Sequence, residues 1–327
     1  MNLLQLRAIC EVANHGLKIT TAAETLHKSQ PGISRLIREI EEELGVRIFQ
    51  RRKNKIEAIT EPGREIVRIA ERALREIINL KLVGQEYSTQ DAGELTVATT
   101  HTQARYSLPG VIEDFTRKFP NVHVTLRQGN PIQCCELVES GGADLAISTE
   151  TREQFPQLVC LPAYRVTRCV VARLGHPILK KGRLTLKTLS RYPIITFDTA
   201  FSSGSVLNEA FAGAGIRPRI ILSAVDADVS KAYVERGLGI AILARNAIDP
   251  AKDHELGTVD AEHLFPSSLL NVSIRKFAYL RGYMTALIAA FAPHLPASLV
   301  RKAVEGADVD LSSLKRAAPP LKVGVQQ

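Results

Sequence analysis

Apolar residues recur at helical spacing over residues 3–15 (Leu3, Leu6, Ile9, Cys10 and Ala13), and Gly16 supplies a stop. A short second helix is expected after Thr20 or Thr21, with Glu24 three residues beyond Thr21 in capping-box register. Ala22, Ala23 and Leu26 give it a small apolar face for close packing, and His27-Lys28 make a turn. Ser29 is a good N-cap for a third helix with Pro31 in its first turn and a stripe of Ile33, Leu36, Ile37, Ile40 and Leu44. Two short helices across a tight turn, behind a supporting helix, form the helix-turn-helix pattern. Gly45–Gln50 then reads as extended, Arg51–Lys55 as a basic turn and Ile56–Ile59 as a second strand, together a hairpin wing.

Thr60 and Pro62 open a long helix to about residue 87, with Ile66, Ile69, Ala73, Ile77 and Leu80 in a narrow stripe. Such a stripe suits either pairing between subunits or packing on the chain's own domain, and its narrowness favours pairing. Asp91-Ala92-Gly93 is the expected hinge. Beyond it, strands at Glu94–Thr99, Val122–Arg127, Asp144–Ser148, Pro193–Phe197, Ile220–Val225, Gly239–Leu243 and Asn271–Ile274 alternate with helices. Alternation of this kind predicts an α/β region with mostly parallel sheets, long enough for two subdomains around a cleft. From about residue 297 the chain turns polar, with Pro319-Pro320, and is expected to be poorly ordered. The predicted fold class is therefore a multi-domain α+β chain. It comprises a winged helix-turn-helix (1–60), a linker, dimerisation helix (61–90), a two-subdomain α/β sensor like periplasmic binding proteins (91–296), and a polar tail (297–327).

Composition narrows the function. The 327 residues carry a net charge of +8, which favours an anionic partner such as nucleic acid or a membrane surface. No apolar run reaches the length of a membrane span, about 18 residues, and the first fifteen residues lack an unbroken apolar stretch, so the expected location is the cytoplasm. The five cysteines (Cys10, Cys134, Cys135, Cys160 and Cys169) have no metal-ligand spacing and read as reduced, buried thiols. No metal site or cofactor is expected. His101 is the tempting catalytic residue, but no Ser or Cys nucleophile stands at motif spacing to it, so no catalytic residue is assigned.

The expected DNA-binding residues are Thr20, Thr21, Ser29, Gln30, Pro31, Ser34, Arg35 and Arg38 around the third helix. Arg51, Arg52 and Lys53 join them at the wing tip. Gln and Ser near a helix N-terminus can reach base edges in the major groove, Arg35 and Arg38 can take guanine or phosphate, and the wing cations suit phosphates or the minor groove. Glu39, Glu41, Glu42 and Glu43 crowd the far end of the helix, which should face away from DNA. In the sensor region, Thr99-Thr100-His101-Thr102-Gln103 marks a strand end followed by a helix start. Open α/β sheets bind ligands there, and free N–H groups favour an anion; an ordinary strand end with its N-cap is the alternative.

The first sixty-odd residues resemble the LysR-type transcriptional regulator family. The resemblance rests on Leu3-x-x-Leu6, Thr21-Ala22-Ala23, Ser29-Gln30-Pro31-Gly32-Ile33-Ser34, Ile40-Glu41-x-x-Leu44-Gly45-x-x-Ile48-Phe49-x-Arg51 and Thr60-x-x-Gly63. In the sensor region, Ala98–Tyr106 with Leu108-Pro109-Gly110, Ala143–Glu150, Asp226–Val229 and Phe291–Leu295 are similar to the CysB branch. The resemblance implies a transcription regulator, an activator of sulfur-assimilation and cysteine-biosynthesis genes. It implies as partners promoter DNA, a small anionic effector (sulfate, O-acetylserine or N-acetylserine), self-association as a dimer of dimers and RNA polymerase. By the same resemblance, the effector residues match Thr100, Thr102, Gln103, Thr149 and Ser202, while Val166 stands where the family has an aromatic residue. A regulator of sulfonate or sulfate-ester use is the neighbouring reading. A solute-binding receptor and an enzyme are the rivals from other classes; the winged helix-turn-helix opposes the first, and the missing nucleophile–base motif the second.

Overall fold

The computed structural model describes residues 1–53, 55–88, 92–149, 154–197, 202–307 and 309–321. The chain divides into two units, Met1–Ser88 and Thr89–Gln327.

In the first unit, α1 (Leu3–Asn14) starts on a capping box between Asn2 and Gln5. The next helix, α2, spans Ile19–Thr25, and α3 spans Gln30–Leu44. Ser29 caps α3 by accepting from the Gly32 amide at 3.2 Å, and Gly45 ends it in the left-handed conformation. The wing strands β1 (Phe49–Arg52) and β2 (Lys55–Ile59) pair antiparallel with a bulge at Gln50/Arg51, before α4 (Glu61–Ser88). Leu6, Ile9, Val12, Ala22, Ile33, Ile37, Ile40, Phe49 and Val67 form the core. The expected Thr21–Glu24 capping box is absent: α2 begins three residues earlier than a Thr21 cap would place it, Lys18 holds the cap position without a side-chain bond, and both threonines lie inside the helix.

The second unit opens with β3 (Gly93–Thr99), α5 (His101–Tyr106), α6 (Pro109–Lys118), β4 (Val122–Gln128), α7 (Pro131–Ser140), β5 (Leu145–Thr149) and β6 (Leu158–Val166). The chain then crosses at Thr167 into a second sheet, with β7 (Arg168–Arg173), α8 (Leu186–Leu189), β8 (Pro193–Phe197), α9 (Ser202–Gly213), β9 (Arg219–Ala224), α10 (Ala227–Glu235), β10 (Ile240–Ala244) and β11 (Leu256–Asp260). It returns through β12 (Ser268–Arg275) and closes with α11 (Gly282–Phe291), α12 (Ala297–Val304) and α13 (Leu311–Ala317). The sheets are ordered β4-β3-β5-β12-β6 and β11-β7-β10-β8-β9.

Two expectations are corrected. The sheets are mixed: β12 runs antiparallel to β5 and β6, and β7 antiparallel to β10 and β11, because β7 carries the chain into the second sheet and β12 brings it back into the first. The described residues after 297 are structured as far as Leu321. Leu299, Val309, Leu314 and Leu321 pack on the first sheet's core, and Pro319–Leu321 bridges the edge strand β6 at Arg165. Asp91 of the expected hinge lies outside the described residues.

Candidate functional site

Each unit carries one candidate site. On the first, α3 buries Ile33, Ile37 and Ile40 and turns Gln30, Arg35 and Arg38 to solvent, with Ser34 half-buried. Thr20, Ser29, Pro31, Arg52 and Lys53 are also exposed, and Thr21 is half-buried. The predicted DNA face is therefore open. Arg35 donates to Glu39 at 2.7 Å, one helical turn on. That bond, helped by Gln5, holds the Glu39 carboxyl below the ordinary carboxylate range.

Glu41 departs from the expected acidic far end. It is buried, and its Oε1 accepts from the backbone amides of Ile48 at 2.9 Å and Phe49 at 3.1 Å, while Oε2 faces Arg47 and Arg51 at 3.3 and 3.6 Å. The recognition helix thus grips the base of the wing. Gly63 completes the joint, since a Cβ there would stand 2.1 Å from the Ile48 carbonyl oxygen. Thr60 Oγ1 accepts from the Gly63 amide at 2.9 Å and donates to the Arg47 carbonyl at 2.6 Å.

On the second unit, β3 and β5 run parallel with Thr99 opposite Ile147, so Thr100 and Thr149 leave adjacent strand ends. Thr100 is the N-cap residue of α5 and makes no side-chain cap bond. Thr102 is half-buried and Gln103 buried. Gln103 Oε1 accepts from Ser107 Oγ at 2.6 Å and lies 3.4 Å from Asn246 Nδ2, and Asn246 also donates to Ser107 at 3.1 Å. With its carbonyl engaged, the Gln103 amide is left as a donor. Asn246 follows β10 in the second sheet. Because β8 and β10 are parallel, α9, which Ser202 opens, starts at that same edge. The Ser202 side chain lies outside the described residues. Val166 is buried and joins the first sheet's core.

Sequence reasoning missed the contacts that cross from one sheet to the other. Tyr106 donates to Asp228, Arg105 pairs with Asp228 at 3.3 Å, and Lys231 stands 4.8 Å above the Tyr106 ring. Lys231 is buried on Asp253 at 2.9 Å and the Ala247 carbonyl at 3.1 Å. Burial opposes its charge, but the bonds to Tyr106 and Asp253 outweigh it and raise its pKa. His101 faces Asp226 and Asp228 with its Nδ1 on Gln128 at 2.9 Å. Arg105 and Lys231 already neutralise Asp228, so the trio works as an ion-paired contact rather than an acidic cavity. Arg245 is likewise paired, with Asp260.

Residues 3–64 match the bacterial regulatory helix-turn-helix protein, lysR family, and residues 88–296 match the LysR substrate binding domain. This chain is a LysR-family transcriptional regulator. It is 45% identical to the HTH-type transcriptional regulator SsuR of Burkholderia cenocepacia, over 93% of this chain and 100% of that protein. It is 44% identical to the CysB regulator of the same organism, over 94% and 98%. The cofactor-binding domain of the Cbl transcriptional regulator is similar at 34% identity and a TM-score of 0.63, covering 66% of this chain and 95% of that one. These relatives are regulators, not enzymes, and a LysR-family regulator has DNA and a small molecule as partners. No helix among the described residues is long and apolar enough to cross a membrane.

Proposed function

We propose that this LysR-type regulator activates sulfur-assimilation and cysteine-biosynthesis genes. Its effector is a small oxyanion or the carboxylate of a small acetylated amino acid (sulfate, O-acetylserine or N-acetylserine), held at Thr100, Thr102, Gln103, Thr149 and Ser202. It acts as a self-associated dimer of dimers with RNA polymerase. The observation that carries the effector reading is the neutral donor set: two threonines at neighbouring strand ends beside a glutamine whose carbonyl is already engaged. The nearby guanidiniums of Arg105 and Arg245 are paired with carboxylates, so the anion is recognised by hydrogen bonds rather than by a cation clamp. A second reading, genes for sulfonate or sulfate-ester use, is supported by equal likeness to SsuR and CysB and by Val166 in place of the aromatic residue. Genome-wide mapping of bound sites in sulfur-replete and sulfur-starved cells tests both. Enrichment upstream of cysteine-biosynthesis genes supports the first reading, enrichment at sulfonatase-type operons the second, and sites indifferent to sulfur supply refute both.

A further inference from the structure

Residues 173–191 contain six Lys or Arg (Arg173, Lys180, Lys181, Arg183, Lys187 and Arg191) and no Asp or Glu. Residues 89–327 hold 27 Lys or Arg against 22 Asp or Glu, so this stretch accounts for the whole positive balance of the second unit. All six cations are exposed. Among the described residues, none of them forms an ion pair.

The segment is folded rather than a loose basic tail. Ile178, Leu184 and Leu189 are buried in the second sheet's core. A 3-10 turn over Pro177–Lys180 is capped by His176, whose Nδ1 accepts from the Ile178 amide at 3.2 Å. Thr185 Oγ1 accepts from the Thr188 amide at 3.1 Å, and His263 Nε2 meets the Leu184 carbonyl at 2.8 Å. Gly175, Pro177, Lys180 and Lys181 line a shallow cavity of about 330 Å³. A surface of like charge held on a fixed scaffold repels itself unless an anion lies on it.

We propose that this segment is a second DNA-contacting surface, which takes the phosphate backbone of duplex outside the stretch read by α3 and the wing. The composition favours a nucleic acid over an acidic protein. Protein interfaces are depleted in Lys and built on aromatic anchors, whereas here three lysines and three arginines surround a single strongly exposed apolar side chain, Leu174. Lysine and arginine without interleaved carboxylates suit backbone contacts that carry no sequence information.

The test uses the full-length protein and a 60-bp duplex of random sequence, with affinity measured by fluorescence anisotropy across a salt series. Each phosphate contact adds about 0.9 to the slope of log affinity on log salt. The variant Lys180→Ser/Lys181→Ser/Arg183→Ser is expected to flatten the slope by nearly 3 and to weaken binding roughly tenfold or more near physiological salt. Lys187→Ser/Arg191→Ser, on a different element, should flatten it by nearly 2. Arg301→Ser/Lys302→Ser/Lys315→Ser removes the same charge elsewhere in the unit and should change neither quantity. Far-ultraviolet circular dichroism checks that each variant is folded. An unchanged slope in both segment variants overturns the proposal, as does an equal loss in the control, which would mark a net-charge effect. Loss of an acidic protein partner with the duplex slope intact overturns it as well.

Discussion

Arg35 shows how a recognition side chain is held before its target arrives. Its guanidinium leans on Glu39, so binding exchanges one charge-assisted bond for another. Arg35→Ala should weaken operator binding by about 1–3 kcal/mol and relax one base position if it reads guanine. A uniform loss over all sequences marks a phosphate contact instead, and gel-shift titration at fixed salt separates the two. Unchanged affinity would remove Arg35 from the DNA face. Thr102→Val keeps side-chain shape and deletes one hydroxyl donor; calorimetry with sulfate and the two acetylserines should show affinity falling tenfold to a hundredfold, roughly 1.5–3 kcal/mol. Equal binding by both proteins would place the effector elsewhere. The DNA affinity of the effector-free protein should not change, because Thr102 lies neither on α3 or the wing nor in the basic segment 173–191.

At the scale of elements, the long helix has two apolar faces. Ile66, Val67, Ala70, Ala73 and Leu74 pack against the first unit's own core, while Ile69 and Leu80 are 50% and 74% exposed. Replacing Ile69 and Leu80 with Lys should therefore yield monomers with an intact first unit and poor DNA affinity. Light scattering at the parent mass would rule out this helix as the interface. Helices and parallel strands were legible because their apolar periods are local. The crossing strands were not: Leu158–Val166 is buried along nearly its whole length, and β7 opens on Arg168, a cation buried on the Pro266 carbonyl at 2.6 Å. A continuous apolar run and an interior arginine both hide period two. A strand end followed by a helix start draws attention to residues 99–103, and only the family resemblance singles out Thr100 and Gln103 there; the bond from Asn246 to Gln103 becomes visible only once the sheets are assembled. Glu41 looked like one of four surface acids, and only the wing's unpaired amides explain why it is inside.

Across the whole second unit, the Tyr106–Asp228–Lys231 contact ties α5 to α10. Burial would raise the Asp228 pKa, but Tyr106 and Lys231 outweigh it and hold it below 3.8, while Lys231 is held above 10.5. The aspartate's contribution is present above its ordinary pKa and lost as pH falls through the lowered one. The lysine's is present below its ordinary pKa and lost as pH rises through the raised one. Thermal midpoints should therefore be insensitive to this contact between about pH 5 and 9. Tyr106→Phe keeps the ring under Lys231 and removes the hydroxyl, at a cost of about 1 kcal/mol, since Asp228 is partly exposed. A calorimetric midpoint equal to that of the parent would show the contact to be incidental.

The last strand contact has a consequence for the state in which the protein can be stored and handled. Arg165 donates its backbone amide to the Pro319 carbonyl and accepts from the Leu321 amide, both at 2.8 Å. Between those two partners sits Pro320, which has no N–H to offer outward. At Arg165 the edge of the sheet thus finishes on a residue with no N–H to offer another strand. A chain ending at residue 306 would keep both sheets yet leave β6 as an open template at Arg165. It should polymerise slowly as concentration rises, with thioflavin fluorescence and turbidity growing together. A shortened protein that stayed monodisperse for days at high concentration would mean that other elements, not the prolines, keep the molecule from growing.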